Sequence, residues 1–253
     1  MSPLDLSTAL LYGIPIALSA GIYGGFDCLL SRRSHAGDSA LNAETKPKRP
    51  RSSNPEFGLR LVVAKSPEQL GAAADLVRRR YAWRGYEFPL ADAAAEQARK
   101  RLTQEITFLA ASGPDAVGTL TLGLDGPAGL LAEGAYGEVI GEYRAAGHRV
   151  CELTRLALAQ GIDSKTILAS LFCLAHAVGR TRDDVTHVFI EVNPRHQTFY
   201  SRVLGFVAVA GEKFCERVRA RSILLGLEIE KLEERLTAFN VAAGMRPVLA
   251  KAA

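Results

Sequence analysis

Two short stretches of the chain hold polar groups where the surrounding pattern calls for apolar ones. The first is Cys151-Glu-Leu-Thr-Arg-Leu-Ala-Leu158. As a strand it places Glu152, Thr154 and Leu156 on one face and Cys151, Leu153 and Arg155 on the other. Ionised groups on a central-looking strand are costly to bury without partners. Glu152 therefore either handles a proton or orients an amine, or it sits in a buried ion pair or supports a neighbouring loop by hydrogen bonding. The second stretch runs from Phe189 to Phe206, with Asn193-Pro-Arg-His196 following an apolar run and Phe199-Tyr200 leading to Gly205. It reads as a strand that ends at Asn193, a helix opened by Pro194, and a glycine with room for a left-handed cap. A carboxylate, a guanidinium and a phenol in this setting suit proton transfer and anion binding. No Ser/His/Asp or Cys/His arrangement is visible. Cys151 has no nearby base, so it reads as a core thiol.

The elements that must position these groups follow from periodicity. Strands are expected over 59–64, 106–111, 116–124, 150–159, 187–192, 206–210 and 222–227. Helices are expected from Ser66-Pro67 to about Tyr81, over 91–102, 137–146, 164–180 and 194–204, and from near Glu228 onward. The order is β-α-α-β-β-α-β-α-β-α-β-β-α. It predicts an α/β (α+β) layout with a single mixed central sheet and helices on both faces. The two central strands flanking the 164–180 helix form a βαβ unit with a ligand at the strand ends.

Composition narrows the function classes. The 253 residues hold 31 Lys plus Arg against 27 Asp plus Glu, a formal charge of +4, with 48% hydrophobic residues. A wholly disordered chain and a multi-span membrane protein are excluded. Residues 1–55 carry net +2 and the remaining 198 residues also net +2, so the main body is nearly neutral and no nucleic-acid binding is indicated. The four cysteines, Cys28, Cys151, Cys173 and Cys215, form no CxxC or Cys/His cluster. Neither a disulfide framework nor a metal site is expected, and a reducing compartment fits.

The chain divides into three parts. Residues 6–26 carry no charge over 21 positions, between Asp5 and the pair Arg32-Arg33. That length suits a membrane anchor with the rest of the chain on the cytoplasmic side, or else a loosely packed amphipathic tail. The expected domains are 1–30 as the candidate anchor, 31–57 as a disordered basic linker, and 58–253 as the folded domain. The linker includes Lys46-Pro-Lys-Arg-Pro-Arg51, which suits anionic lipid or simply a solvated tether. The expected location is a cytoplasmic catalytic domain tethered to the inner membrane.

The motif Tyr200-x-x-x-x-Gly205-Phe206 resembles the last motif of the GNAT acyltransferase superfamily. Glu-x-Thr-Arg-Leu-Ala at 152–157 and Asn-Pro-Arg-His-x-x-Phe-Tyr-x-x-x-Leu-Gly-Phe at 193–206 together resemble one branch of it. That branch is the long-chain N-acyl amino acid synthases of the N-acyltyrosine synthase type, relatives of the acyl-homoserine-lactone autoinducer synthases. Arg78-Arg-Arg-Tyr-Ala-Trp-Arg-Gly-Tyr86 is similar to the branch's N-terminal Arg/aromatic motif, and Gly118-Thr-Leu to its third strand.

The resemblance implies a GNAT-like fold and amide formation between a long-chain acyl thioester and an amino acid. It implies an acyl carrier protein as donor and partner, with acyl-CoA as the alternative and no permanently bound cofactor. Carried onto this chain, Glu152 takes a proton from the amine, Arg155 holds Glu152 or the acceptor carboxylate, and Tyr200 meets the leaving thiolate. Leu156, Ala157, Leu158, Asn193, Arg195, His196 and Phe199 face the acyl or phosphopantetheine arm, with backbone N–H groups at 156–158 on the oxyanion. Arg80, Tyr81, Trp83 and Tyr86 face the acceptor. Arg195, Arg202, Lys213, Arg217, Arg219 and Arg221 could make a basic landing face for an acidic carrier, or be solvated surface charge.

Two departures shape the reading. Gln160-Gly-Ile-Asp-Ser-Lys-Thr166 lacks the Gln/Arg-x-x-Gly-x-Gly/Ala loop that binds pyrophosphate in CoA-dependent members. Thr121 stands where autoinducer synthases carry an Arg. An autoinducer synthase, a CoA-dependent N-acetyltransferase and a non-catalytic acyl-binding adaptor are the alternatives.

Overall fold

The computed structural model describes residues 58–86, 104–162, 164–181 and 185–242. The expected anchor, the linker and the 91–102 helix lie outside these residues. Among the described residues no helix is long and apolar enough to cross a membrane.

The strands are β1 (Leu59–Val63), β2 (Gln104–Ser112), β3 (Asp115–Leu124), β4 (Val150–Leu158), β5 (His187–Val192), β6 (Val207–Ala208), β7 (Lys213–Cys215) and β8 (Ala220–Glu228). The helices are α1 (Pro67–Trp83), α2 (Glu133–Ala145), α3 (Ser164–Arg180) and α4 (Ile229–Ala242). The sheet runs β1-β2-β3-β4-β5-β8-β6, with β7 also paired to β8. β4 and β5 are parallel and joined through α3, as the βαβ expectation required, while the other pairs are antiparallel.

Local chemistry accounts for the element ends. Ser66 caps α1 in a reciprocal capping box with Gln69, and Pro67 occupies the first turn. α3 is apolar almost all round, with eleven buried residues, because it fills the middle of one sheet face. It packs with α4 over Phe108, Leu120, Leu122, Leu153, Ile190 and Leu225. α1 covers the opposite face over Leu109 and Ala157. α2 covers that face further along, where Tyr136 and Ile140 meet Val150, Phe189 and Leu224.

Four expectations change. α2 begins at Glu133 rather than Gly137, with a kink at Tyr136 (φ −127°, ψ 25°). The expected 194–204 helix is three short turns of different pitch: 3-10 at Pro194–His196, α at Gln197–Phe199 and π at Tyr200–Leu204. Gly205 (φ 82°) ends it with the expected left-handed cap, and Phe206 N–H returns to Tyr200 O at 3.2 Å. β7, a strand of three residues, carries too little pattern to be read. Finally, the two-residue alternation of β4 breaks at Arg155, whose φ is 53°. Thr121 pairs with Thr154 and Thr119 with Ala157, so Arg155 and Leu156 together oppose Leu120, a β-bulge.

Candidate active site

The parallel pairing of β4 and β5 has only three rungs, Val150–His187, Cys151–Val188 and Glu152–Phe189. Beyond them the strands separate. A cavity of 770 Å³ opens at the split and runs between Thr154–Ala159 of β4 and Ile190–Asn193 of β5. Its volume is in the range of small-molecule sites.

Every residue of β4 from Leu153 onward borders this space, the bulge among them. Thr154, Arg155 and Leu156 all line the cavity, instead of alternating between two faces. A left-handed backbone at a non-glycine residue costs about 1–2 kcal/mol, so the surrounding pairing must hold it. Ala159 N–H donates to Val117 O on β3 at 2.9 Å. Strand alternation therefore turns the N–H group of Leu158 the other way, toward the gap.

The residues expected around an acyl arm converge here. Leu156, Ala157 and Leu158 form one wall; Asn193, His196, Phe199 and Tyr200 form the other. Asn193 also braces the wall, since its side chain accepts from Arg195 N–H and donates to Arg221 O, each at 3.2 Å. Burial next to Arg195 and Arg84 pushes the His196 imidazole down to about 4, so it is neutral at pH 7. Tyr200 is buried, and desolvation with the nearby Tyr81 and Tyr86 holds its phenol above the usual range. Arg195 is the exception to the convergence: it lies over the Tyr86 ring at 5.4 Å and donates to Tyr86 Oη at 2.8 Å.

The Arg/aromatic segment at the end of α1 forms the mouth. Arg80, Tyr81, Trp83 and Tyr86 all line the cavity. Trp83 is 59% exposed, with the Arg80 and Arg84 guanidinium carbons 4.6 and 4.8 Å from its ring centre. Tyr81 stacks edge-on to Tyr86 at 5.5 Å, and desolvation, partly offset by Arg217, pushes its phenol up to about 12.

Glu152 sits apart from the cavity lining. It is 4% exposed, and its two carboxylate oxygens accept from Leu131 N–H at 2.6 Å and Ala132 N–H at 3.0 Å, at the start of α2. A carboxylate there also faces the positive end of the helix dipole. Gly123 leaves room for it: a Cβ at Gly123 would fall 3.0 Å from Glu152 Cγ. Leu131, which Glu152 holds, does line the cavity.

Arg155 and Arg217 depart from their expected partners. Arg155 Nη1 donates to Glu105 on β2 at 2.6 Å, rather than to Glu152. Regular alternation would put Arg155 on the face opposite Glu152; the bulge brings it instead to Glu105, which shares a register row with Gly123 and Glu152. Arg217, grouped with the surface arginines by sequence, turns inward and binds Glu191 at 2.8 Å. Both line the cavity. Sequence reasoning passed over Glu191, although it interrupts the apolar run of β5 just as Glu152 interrupts β4. Among the described residues no three His, Cys, Asp or Glu side chains converge as a metal site.

Comparison with known proteins agrees with this geometry. The family model described as N-acyl amino acid synthase FeeM matches residues 72–228. The solved structure of FeeM, an N-acyl amino acid synthase from uncultured soil microbes, superposes with a TM-score of 0.63 at 23% identity, covering 71% of this chain and 95% of that one. The AHL synthase LasI superposes with a TM-score of 0.54 at 14% identity, covering 72% and 96%. No curated protein matches the chain. The split between β4 and β5, the cavity walls and the family match over most of the folded residues converge on one assignment: the chain is an acyltransferase with a GNAT-like fold and belongs to the FeeM family of N-acyl amino acid synthases.

Proposed function

We propose that this enzyme joins a long-chain acyl group, delivered as a thioester on an acyl carrier protein, to the amine of an amino acid. The observation that carries the reading is the cavity entering the sheet where β4 and β5 part, with the outward-turned Leu158 N–H on one wall and Tyr200 on the other. An extended thioester arm would add its backbone groups to the open strand edge, and its carbonyl oxygen would meet the N–H group of Leu158. The amine attacks the carbonyl carbon, the C–N bond forms, the C–S bond breaks, and the thiolate leaves with a proton taken up from its surroundings.

Tyr200 suits the leaving group as a hydrogen-bond donor. Its raised affinity for the proton exceeds that of an ordinary thiolate, so full transfer would run uphill while donation would not. Tyr200→Phe should lower kcat about 10- to 100-fold, the worth of one hydrogen bond to a charged group. Single-turnover kinetics with acyl thioester check this. An unchanged rate would remove Tyr200 from the reaction.

The donor reading rests on the absence of a pyrophosphate-type loop at Gln160–Thr166 and on basic residues at the rim. With Arg217 turned inward, Arg195, Arg202, Lys213, Arg219 and Arg221 remain as the landing face. Arg219→Glu combined with Arg202→Glu, at two exposed positions outside the cavity lining, should raise KM for the carrier-bound donor about 10-fold and leave KM for a free pantetheine thioester unchanged. Equal effects on both donors would remove the carrier from the assignment.

An amine near neutral pH is largely protonated and must lose a proton before attack. In this reading Glu152, with both oxygens engaged by backbone N–H groups, acts by fixing Leu131 and the start of α2 at the cavity wall. The overall assignment is tested by mass spectrometry of lipid extracts from cells overexpressing the protein. A new N-acyl amino acid is expected; a lipid profile identical to the vector control would overturn the reading.

A further inference from the structure

Glu191 and Arg217 form an ion pair that is incomplete in a specific way. Glu191 lies on β5, two residues past the last β4–β5 rung, and its side chain is 6% exposed. Arg217 reaches it from the turn between β7 and β8, with Nη2 2.8 Å from Oε2. Arg217 Nη2 also lies 3.8 Å from Cys215 Sγ. The second atom of each group, Glu191 Oε1 and Arg217 Nη1, is buried and has no hydrogen-bond partner among the described residues, the Cys215 thiol beside the pair being the one group also placed to donate weakly to Glu191. A buried polar atom without a partner forfeits its hydration with nothing in return. Here one unmet acceptor and one unmet donor belong to two bridged residues that both line the reaction cavity.

A ligand that satisfies both atoms offers a donor and an acceptor a few ångströms apart, and one that also matches the charges of Glu191 and Arg217 carries a cation and an anion there. We infer that Glu191 and Arg217 form the head-group subsite for a free amino acid, Glu191 Oε1 accepting from the α-ammonium and Arg217 Nη1 donating to the α-carboxylate. This deepens the proposed function and rests on its amino acid acceptor. The arrangement is an alternating ring of four charges, in which each group meets two of opposite sign. It favours zwitterions over simple amines, because an amine alone leaves Arg217 Nη1 unmet, and the penalty for an unmet buried group dominates discrimination. It also sets the ammonium against a carboxylate at the strand split, beside the path of the thioester arm.

The test is the KM of the full-length enzyme for an amino acid and for its carboxamide, at saturating acyl thioester. Wild-type enzyme is expected to prefer the free acid about 10- to 100-fold. Arg217→Gln should raise KM for the acid by that factor and leave KM for the carboxamide within about 3-fold, erasing the preference. Glu191→Gln should raise KM for both. The double variant Glu191→Gln/Arg217→Met removes both charges at once, which avoids a lone buried ion; it should fold and show no preference. Equal loss of kcat/KM for acid and carboxamide in Arg217→Gln would make the pair structural and overturn the inference. Wild-type enzyme that acylates acid and carboxamide equally would overturn it while leaving amide synthesis intact. Wild-type enzyme that acylates neither would overturn the proposed function itself.

Discussion

Glu152→Gln is expected to lower kcat by roughly two orders of magnitude, at the meeting point of the ranges for lost proton transfer and lost support of a site. The amide substitution keeps the shape of the side chain but replaces one acceptor oxygen with an N–H donor. Two backbone donors, Leu131 N–H and Ala132 N–H, then face one oxygen and one NH2 group. One of these contacts becomes donor against donor. The start of α2 is drawn away from β4, and Leu131 leaves its place on the cavity wall. Two roles for Glu152 separate in the pH–rate profile. If Glu152 only holds the turn, the variant keeps the wild-type profile at a lower plateau. If it accepts the amine proton, the variant loses the acidic limb. The positioning role predicts the first result. A kcat within a factor of two of wild type in the folded variant would remove both roles.

Phe189→Ala is expected to lose about 3–5 kcal/mol of folding stability, the usual range for emptying a large aromatic site. Phe189 is fully buried at the last rung between β4 and β5. Its ring packs edge-on to Tyr143 of α2 at 5.0 Å, beside Tyr136, Ile140 and Leu224. Gly226 on β8 accommodates it, since a Cβ there would approach within 3.1 Å of the ring. The void therefore forms between α2 and the sheet, beneath the element whose start Glu152 holds. Thermal unfolding should show a midpoint lower by about 10 °C. Val207→Ser, at a position 59% exposed, should stay within about 0.5 kcal/mol and serves as the control.

The parts of the fold that depend on local pattern were legible from sequence. α3 and β5 have the bounds that periodicity predicts, because each is a long or strongly apolar segment with clear punctuation. The start of α2 was not legible. Gly134 and Gly137 argue against a helix there, and its first turn is held by a carboxylate 20 residues away in sequence. The Arg155 bulge was also hidden, since a left-handed arginine carries no composition signal and arises from the β3–β4 register. The site followed the same division. The cavity walls came from motifs that lie on single elements. The Glu191–Arg217 pair joins β5 to the β7–β8 turn, so only tertiary packing reveals that Arg217 points inward. Glu191 itself did leave a signal: an acid amid Phe-Ile-x-Val is as anomalous as Glu152 on β4, and the same desolvation argument applies to it.

The three-rung seam between β4 and β5 also leaves a mark in isotope exchange. The backbone amide of Leu158 belongs to a strand at the centre of the sheet, yet it faces the gap rather than a paired strand. In ligand-free protein it should take up deuterium early, while Ala159, bonded to Val117, stays protected. A seated acyl arm closes the seam, and the slow exchange normal for a central strand should then extend along the whole of β4. Deuterium uptake at the Leu158 amide thus becomes an occupancy gauge for the proposed donor, read without any turnover.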